Sequence, residues 1–361
     1  MAGTRVRDTL LLAENLDNVG DLALLEQAVH GLRRNRKIGA IAVRQWGQPD
    51  PEITARLHAL DVKVVPAKTI RALWPGDKLL LYPGGQAIRG NASPASMLAM
   101  AATVLLSRLA GGKRAALAIG ASEITDSRTR KAWRFVLSRF DLVACRDVRT
   151  LERTRLLTRT PRLELTDDLA FAPSPLHDAL SAPGQPQHII IAPCSDASED
   201  RILDPERTLA LAHEIALHCG VSRILIVCHD PRPGMDIEIA GAIAKAAPDA
   251  GLPEVSVMST SSLENVATAY RDAAAVLTNR LHSTIFGLLS CKPVFVLDDG
   301  NDKVSTFARR FDVPLLPQLD SDVSAQINAG FASAASPARA HSVEQAKAQA
   351  DRNFLLLDEI L

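Results

Sequence analysis

Short runs of Leu, Ile and Val alternate with longer amphipathic stretches along almost the whole chain. "TLLLAE" (9–14), "IGAIAV" (38–43), "VKVVP" (62–66), "KLLLYP" (78–83), "AALAIG" (115–120) and "LVAC" (142–145) have strand length and composition. Helical spacing lies between them, near 21–35, 52–60, 94–110, 127–140 and 147–156. The pattern breaks at the proline-rich "FAPSPLHDALSAPGQPQ" (171–187), which reads as a linker. Beyond it come strands "HIIIAP" (188–193), "RILIVC" (223–228), "VSVM" (255–258), "AAVLT" (274–278) and "PVFVLD" (293–298). Helical stretches separate them near 205–219, 235–247, 262–271 and 282–291. The final "SVEQAKAQADRNFLLLDEIL" (342–361) reads as an amphipathic helix opened by a capping box, Ser342 with Gln345.

Alternation of this kind is the signature of βαβ units on parallel sheets. It predicts an α/β fold of two doubly wound, Rossmann-like domains facing a cleft, residues 1–175 and 188–335, with a C-terminal helix over 340–361. Ligands of such sheets sit outside the carboxyl ends of strands, where helix N-termini present free N–H groups.

Composition narrows the function classes. The chain has 41 Lys or Arg and 41 Asp or Glu, so no net charge points to nucleic acid or to a membrane surface. Aromatic residues are 4% of the chain, too few for a base-stacking groove or a sugar platform. No signal peptide is read at the N-terminus, and the longest apolar segment, around 96–110, is shorter than the roughly 20 residues that span a bilayer. The five cysteines have no zinc-like spacing. A reduced, cytoplasmic chain with no metal and no cofactor is the expectation.

Polar residues gather at the expected strand ends. In "ENLDNVGDLALL", Asn18, Gly20 and Asp21 occupy the turn into the first helix, either as a plain cap or as hydrogen-bonding partners of a hydroxyl. In "YPGGQ", Gly84 and Gly85 allow a tight turn, structural or under a ligand; GxGxxG and GxxxxGK[ST] signatures are absent. "ACRDVRTLE" puts Arg146 and Asp147 at a strand-to-helix joint, as an anion-binding arginine or as a surface or cap pair. "VCHDPRPGMD" carries His229 and Asp230, for which a capped turn is the simpler account. In "LTNRLHSTIFGLL", Arg280, Leu281 and His282 stand where a strand meets a helix. The dipole there favours an anion and works to lower the pKa of His282. Lys303 in "DDGNDKVSTF" adds a cation nearby; the competing account is a capped buried helix with solvated neighbours.

Taken in order, "NVGDLALLEQAV", "YPGG", "CRDVRTLE", "DDLAFAPSP" and "TNRLHSTIFGLLSCKPVFVLDDGNDKVSTF" resemble the polysaccharide pyruvyl transferase family over about residues 9–315. The family's architecture is similar to the two-domain GT-B glycosyltransferases. The resemblance implies a transferase of polysaccharide or exopolysaccharide biosynthesis that uses phosphoenolpyruvate as co-substrate. It would place a pyruvate ketal on a hexose of a bacterial polysaccharide or of its lipid-linked precursor. Arg280, Leu281 and His282 match the donor-binding Arg-Leu-His, and Arg146 the second donor arginine. His282 would act as general acid or phosphate ligand and Asp21 as acceptor of the hydroxyl proton. Pro83 before the glycine pair and "DDGNDK" depart from forms seen in relatives, in loops that could set the acceptor. The resemblance puts the acceptor on the N-terminal side and the donor on the C-terminal side. A lipid-linked acceptor would imply peripheral membrane contact, yet no basic amphipathic segment is read along the chain. Two alternatives stay open: a GT-B nucleotide-sugar glycosyltransferase, and a non-catalytic relative that only binds the ligand.

Overall fold

The computed structural model describes residues 6–13, 15–45, 50–67, 69, 78–159, 162–195, 203–247, 254–300, 302–317 and 323–361; Glu14, which closes the first expected strand, lies outside them. The chain divides into two compact units. The first comprises Met1–Leu16, Asp21–Ser174 and Ala346–Leu361, and the second Asp17–Gly20 and Pro175–Gln345.

In the first unit, β1 (Arg7–Leu11), β2 (Ile38–Gln45), β3 (Val62–Pro66), β4 (Leu79–Pro83), β5 (Lys113–Ile119), β6 (Leu142–Cys145) and β7 (Leu163–Leu165) form one sheet in the order β3-β2-β1-β4-β5-β6-β7. Every pairing is parallel. The strand order reverses between β1 and β4. Right-handed crossovers therefore put α1 (Val19–Arg33) and α2 (Pro51–Ala59) on one face. They put α3 (Pro94–Leu109), α4 (Ser127–Leu137) and α5 (Val148–Leu157) on the other.

In the second unit, β8 (His188–Ala192), β9 (Arg223–Cys228), β10 (Glu254–Ser259), β11 (Ala273–Thr278), β12 (Val294–Asp298) and β13 (Leu315–Pro317) run parallel in the order β10-β9-β8-β11-β12-β13. The reversal falls between β8 and β11. Its helices are α6 (Pro175–Ser181), α7 (Pro205–Cys219), α8 (Asp236–Lys245), α9 (Leu263–Arg271), α10 (Leu281–Leu289), α11 (Asp302–Arg310) and α12 (Ser324–Ala334). Strand β8 is buried at all five residues, as its unbroken apolar run requires in a sheet covered on both faces. One side of the core joins Ile189, Ile191, Ile215, Ile226, Leu277 and Phe295.

The structure corrects two readings of local sequence. The proline-rich stretch is not a bare linker: a 3-10 turn at Leu169–Phe171 leads into it, and it then forms α6, which buries Leu176 and Leu180. The last helix, α13 (Pro337–Ile360), starts ahead of Ser342. Ser336 accepts from the backbone N–H of Ala338 (3.2 Å) and Pro337 takes the first helical position, where its missing N–H costs nothing. Ser342 lies inside the helix and donates its hydroxyl to Ala338 O (3.1 Å). Strands β7 and β13, three residues each, were too short to leave a period in the sequence.

The C-terminal half of α13 is part of the first unit. Asn353, fully buried, accepts from the N–H of Ala118 (3.0 Å) and from the Thr166 hydroxyl (3.1 Å), and donates to Ala350 O (2.9 Å). Ala118 interrupts β5 with a positive φ of 49°, so Asn353 serves a backbone N–H at an irregularity of the sheet. Asn353→Ala is expected to destabilise the full chain by about 1–3 kcal/mol, the cost of orphaning that buried donor. Urea unfolding measures it, and an unchanged midpoint would contradict this role.

Candidate anion-binding site

The strand-order reversal between β8 and β11 is where a doubly wound sheet opens a crevice at its carboxyl edge. Buried polar side chains stitch that edge together. Asn279 accepts from the Cys194 N–H (2.6 Å) and donates to Cys194 O (2.9 Å) and Asp299 Oδ2 (2.8 Å). One side chain thus ties the segments following β8, β11 and β12. Thr278 donates to Ala192 O (2.7 Å) and accepts from the Arg280 N–H (3.0 Å).

From this frame the chain enters α10, whose nine residues are all buried. Arg280 is extended at the N-cap position (φ −114°, ψ 131°), and among the described residues no side chain caps the helix. The first-turn N–H groups have no partner within the helix, so positive potential accumulates beside Arg280 and His282. Leu281 is buried and packs as core. Lys303 follows at the second position of α11, half-buried.

Arg280 is itself buried, and its Nη2 meets both carboxylate oxygens of Asp236. Asp236 is fully buried at the start of α8, and its Oδ2 also accepts from the N–H groups of His229 (3.0 Å) and Asp230 (2.8 Å). Burial raises the Asp236 carboxyl above its ordinary range, against the opposing pull of Arg280. The guanidinium Nε is buried without a hydrogen-bond partner among the described residues.

A second buried chain of polar groups starts at Ser283. Tyr270 Oη donates to Ser283 Oγ (2.6 Å) and lies 2.8 Å from His229 Nε2. The His229 ring stacks on Phe286 with centroids 5.8 Å apart. Burial, reinforced by Arg280 and His282, holds the His229 pKa well below its ordinary value, so this imidazole is neutral.

The segment Asp17–Gly20, which groups with the second unit, closes the other side of His282. Val19 N–H donates to His229 O (2.8 Å). A Cβ on Gly20 would fall 1.9 Å from His282 Nδ1, so only glycine admits the imidazole there. Asn18 spends its side-chain oxygen on the Gly20 N–H (2.9 Å), which is the capping role.

The first unit holds the remaining sequence candidates. Gly84 and Gly85 follow β4 with φ of 91° and 77°, conformations open to glycine, and Gly85 O accepts from Gly120 N–H (2.8 Å). Arg146 is buried, donating to Asp168 Oδ2 (2.9 Å) and Gln86 Oε1 (3.0 Å). Its neighbour Asp147 caps α5 through the Thr150 N–H (2.6 Å) and also pairs with Arg146, Oδ2 lying 3.7 Å from the guanidinium Nε. Asp21 is half-buried in the first turn of α1.

The structure thus gathers Arg280, His282, Gly20 and Asn18 in one unit, and Arg146 and the glycine pair, joined through Gln86, in the other. Sequence reasoning missed the carboxylates that hold the arginines. Asp236 stood in the quoted "VCHDPRPGMD", seven residues past His229, but nothing in its spacing pointed to Arg280. Asp168 stood in "DDLAFAPSP" with no partner assigned. Among the described residues no group of His, Cys, Asp and Glu could hold a metal ion.

Folding keeps His229 neutral, and burial lowers His188 as well. Both groups take up protons more readily in the unfolded chain, so the stability they contribute is complete above their ordinary pKa of 6.5 and is lost as pH falls below it. The thermal midpoint is expected to drop as pH falls from about 7 toward 5. His229→Gln should flatten that slope, and an unchanged slope in the variant would contradict the assignment.

Three comparisons bear on this arrangement. A family model, polysaccharide pyruvyl transferase, matches residues 18–301. A search of curated proteins finds no match. Among solved structures, the UDP-GlcNAc 2-epimerase of Methanocaldococcus jannaschii is similar with a TM-score of 0.64 at 9% identity, over 98% of this chain and all of that one (100%). The Neisseria meningitidis UDP-GlcNAc 2-epimerase, bound to UDP-GlcNAc, gives 0.60 at 10% identity over 98% of both chains. A Rickettsia africae glycosyltransferase gives 0.58 at 11% identity over 97% and 93%. At such identities these likenesses speak to the fold alone, two Rossmann-like units of the GT-B type. The ordered motifs, the buried Arg-Leu-His at an uncapped helix and the family match together make this chain a member of the polysaccharide pyruvyl transferase family, a transferase.

Proposed function

We propose that the protein transfers pyruvate from phosphoenolpyruvate, as a ketal, onto two hydroxyls of a hexose in a bacterial polysaccharide or its lipid-linked precursor. The observation that carries this reading is Arg280 beside His282 at the uncapped N-terminus of a fully buried helix. Phosphoenolpyruvate brings a phosphate and a carboxylate, and a guanidinium plus a helix N-terminus suit such an anion.

The chemistry needs a proton delivered to the methylene carbon of the donor, which places positive character on C2. One sugar hydroxyl adds to C2 and gives up its proton. The second hydroxyl then closes the ring as the C2–O bond to phosphate breaks and the leaving phosphate takes up its proton, so one donor and one diol yield one ketal and one hydrogen phosphate. In this reading His282 supplies the proton or binds the departing phosphate, and Gly20 keeps its imidazole in place. Arg280 and Lys303 neutralise the donor. Arg146, Asp21 and the Gly84–Gly85 turn of the first unit are assigned to donor and acceptor by the family resemblance. The acceptor is a saccharide, and no step above calls for a cofactor.

Phosphoenolpyruvate at about one hundred times its Kd should stabilise the chain by about 2.7 kcal/mol, seen as a raised thermal midpoint. Incubation with the donor and a panel of aryl or lipid-linked hexosides should release phosphate, and His282→Ala should slow that release by about a hundredfold or more. Stabilisation by UDP but not by phosphoenolpyruvate would favour the nucleotide-sugar alternative. Donor binding without phosphate release from any acceptor would favour a non-catalytic relative.

A further inference from the structure

The chain as a whole balances its charges, but one face does not. Between residues 94 and 159 there are thirteen Lys or Arg and five Asp or Glu. Two of those cations are committed internally, Arg114 to Asp141 and Arg146 to Asp168. Most of the others are exposed on α3, α4 and α5, which pack side by side on one face of the first sheet.

Each helix has one outward stripe. On α4 it is Arg128, Lys131, Arg134 and Phe135, the last 39% exposed with the Arg139 guanidinium 3.3 Å from its ring centroid. On α5 it is Arg149, Arg155 and Leu156, the leucine 79% exposed. On α3 the stripe is apolar: Leu98, Leu105 and Leu109 are 72%, 36% and 75% exposed, with Arg108 beside them. Leu98 and Leu109 stand about 16 Å apart along the helix axis. The sequence reading found no basic amphipathic segment; α4 is one, hidden because its buried side is only Trp133, Val136 and Leu137. Acids on this face are few and partly engaged: Asp126 and Asp147 cap α4 and α5, Glu123 lies 3.9 Å from Arg153, and Glu152 is exposed.

We propose that the outer face of α3, α4 and α5 docks onto a lipid bilayer carrying anionic headgroups, with the leucines and Phe135 entering the interface and the arginines and Lys131 pairing with phosphates. Charge complementarity selects this occupant. A second copy related by a two-fold axis would set two basic faces against each other. Nucleic acid would use the cations but leave the three leucines of α3 and Leu156 without apolar partners. An amphipathic basic face with large aliphatic side chains matches the interfacial region of a membrane. None of the described helices is long and apolar enough to cross one. The inference is independent of the transfer reading, because its readout needs no turnover.

The test is co-sedimentation of the full chain with vesicles of phosphatidylcholine alone or mixed with phosphatidylglycerol, at low and high salt. The wild type should bind only the mixed vesicles and should detach at high salt. The double variant Lys131→Gln, Arg134→Gln should bind about thirtyfold more weakly, about fivefold per cation. Leu98→Ser with Leu109→Ser should also weaken binding, and both variants should melt like the wild type. No binding to the anionic vesicles overturns the proposal, as does equal binding to both kinds or full binding by both variants. Oligonucleotide binding, or a dimer lost in the leucine variant, overturns it when vesicle binding is absent.

Discussion

Burying a guanidinium costs heavily unless a carboxylate answers its charge, and the carboxyl edge of the second sheet is organised around one such pair. Arg280 sits at the joint of β11 and α10, and Asp236, from another strand-to-helix joint of the same sheet, answers it. Asp236 is in turn fixed by two backbone N–H groups of the segment after β9. The carboxyl ends of β9 and β11 are thereby held in one arrangement. Losing either charge would strand the other in the interior, which typically costs about 3–5 kcal/mol.

The same logic repeats in the first unit, where Arg146 is buried against Asp168 and Gln86. In both units the arginine leaves a strand end, and the carboxylate comes from a segment distant in sequence. Pairing fixes the planar fork of each guanidinium. Around His282 the fit is steric, because Gly20 leaves room for the ring, and the adjacent Ser283 opens a buried polar chain through Tyr270 to His229.

Much of the fold was legible in the chain because parallel strands buried on both faces leave unbroken apolar runs. "HIIIAP", "AAVLT" and "KLLLYP" became β8, β11 and β4 within a residue or two. Elements of three residues left no such trace, and a Ser-Pro pair started the last helix five residues before the capping box that competed with it. For the candidate site, "RLH" at a strand-to-helix joint exposed the cationic side, since helix polarity is local. Its carboxylate partners were not legible: Asp236 and Arg280 are 44 residues apart, and only the sheet order joins them. The basic face of α3 to α5 was hidden for a related reason, because net charge averages over surfaces that folding separates.

Whether Asp236 prepares Arg280 for an anion is measured most directly by phosphoenolpyruvate affinity in Asp236→Asn, by titration calorimetry after circular dichroism has shown the variant folded. The nearly isosteric change removes the charge that orients the guanidinium. With Arg280→Lys, which keeps the cation but loses the fork, as companion, affinity should fall about tenfold or more, equivalent to about 1.4 kcal/mol. Wild-type affinity in both folded variants would contradict the account.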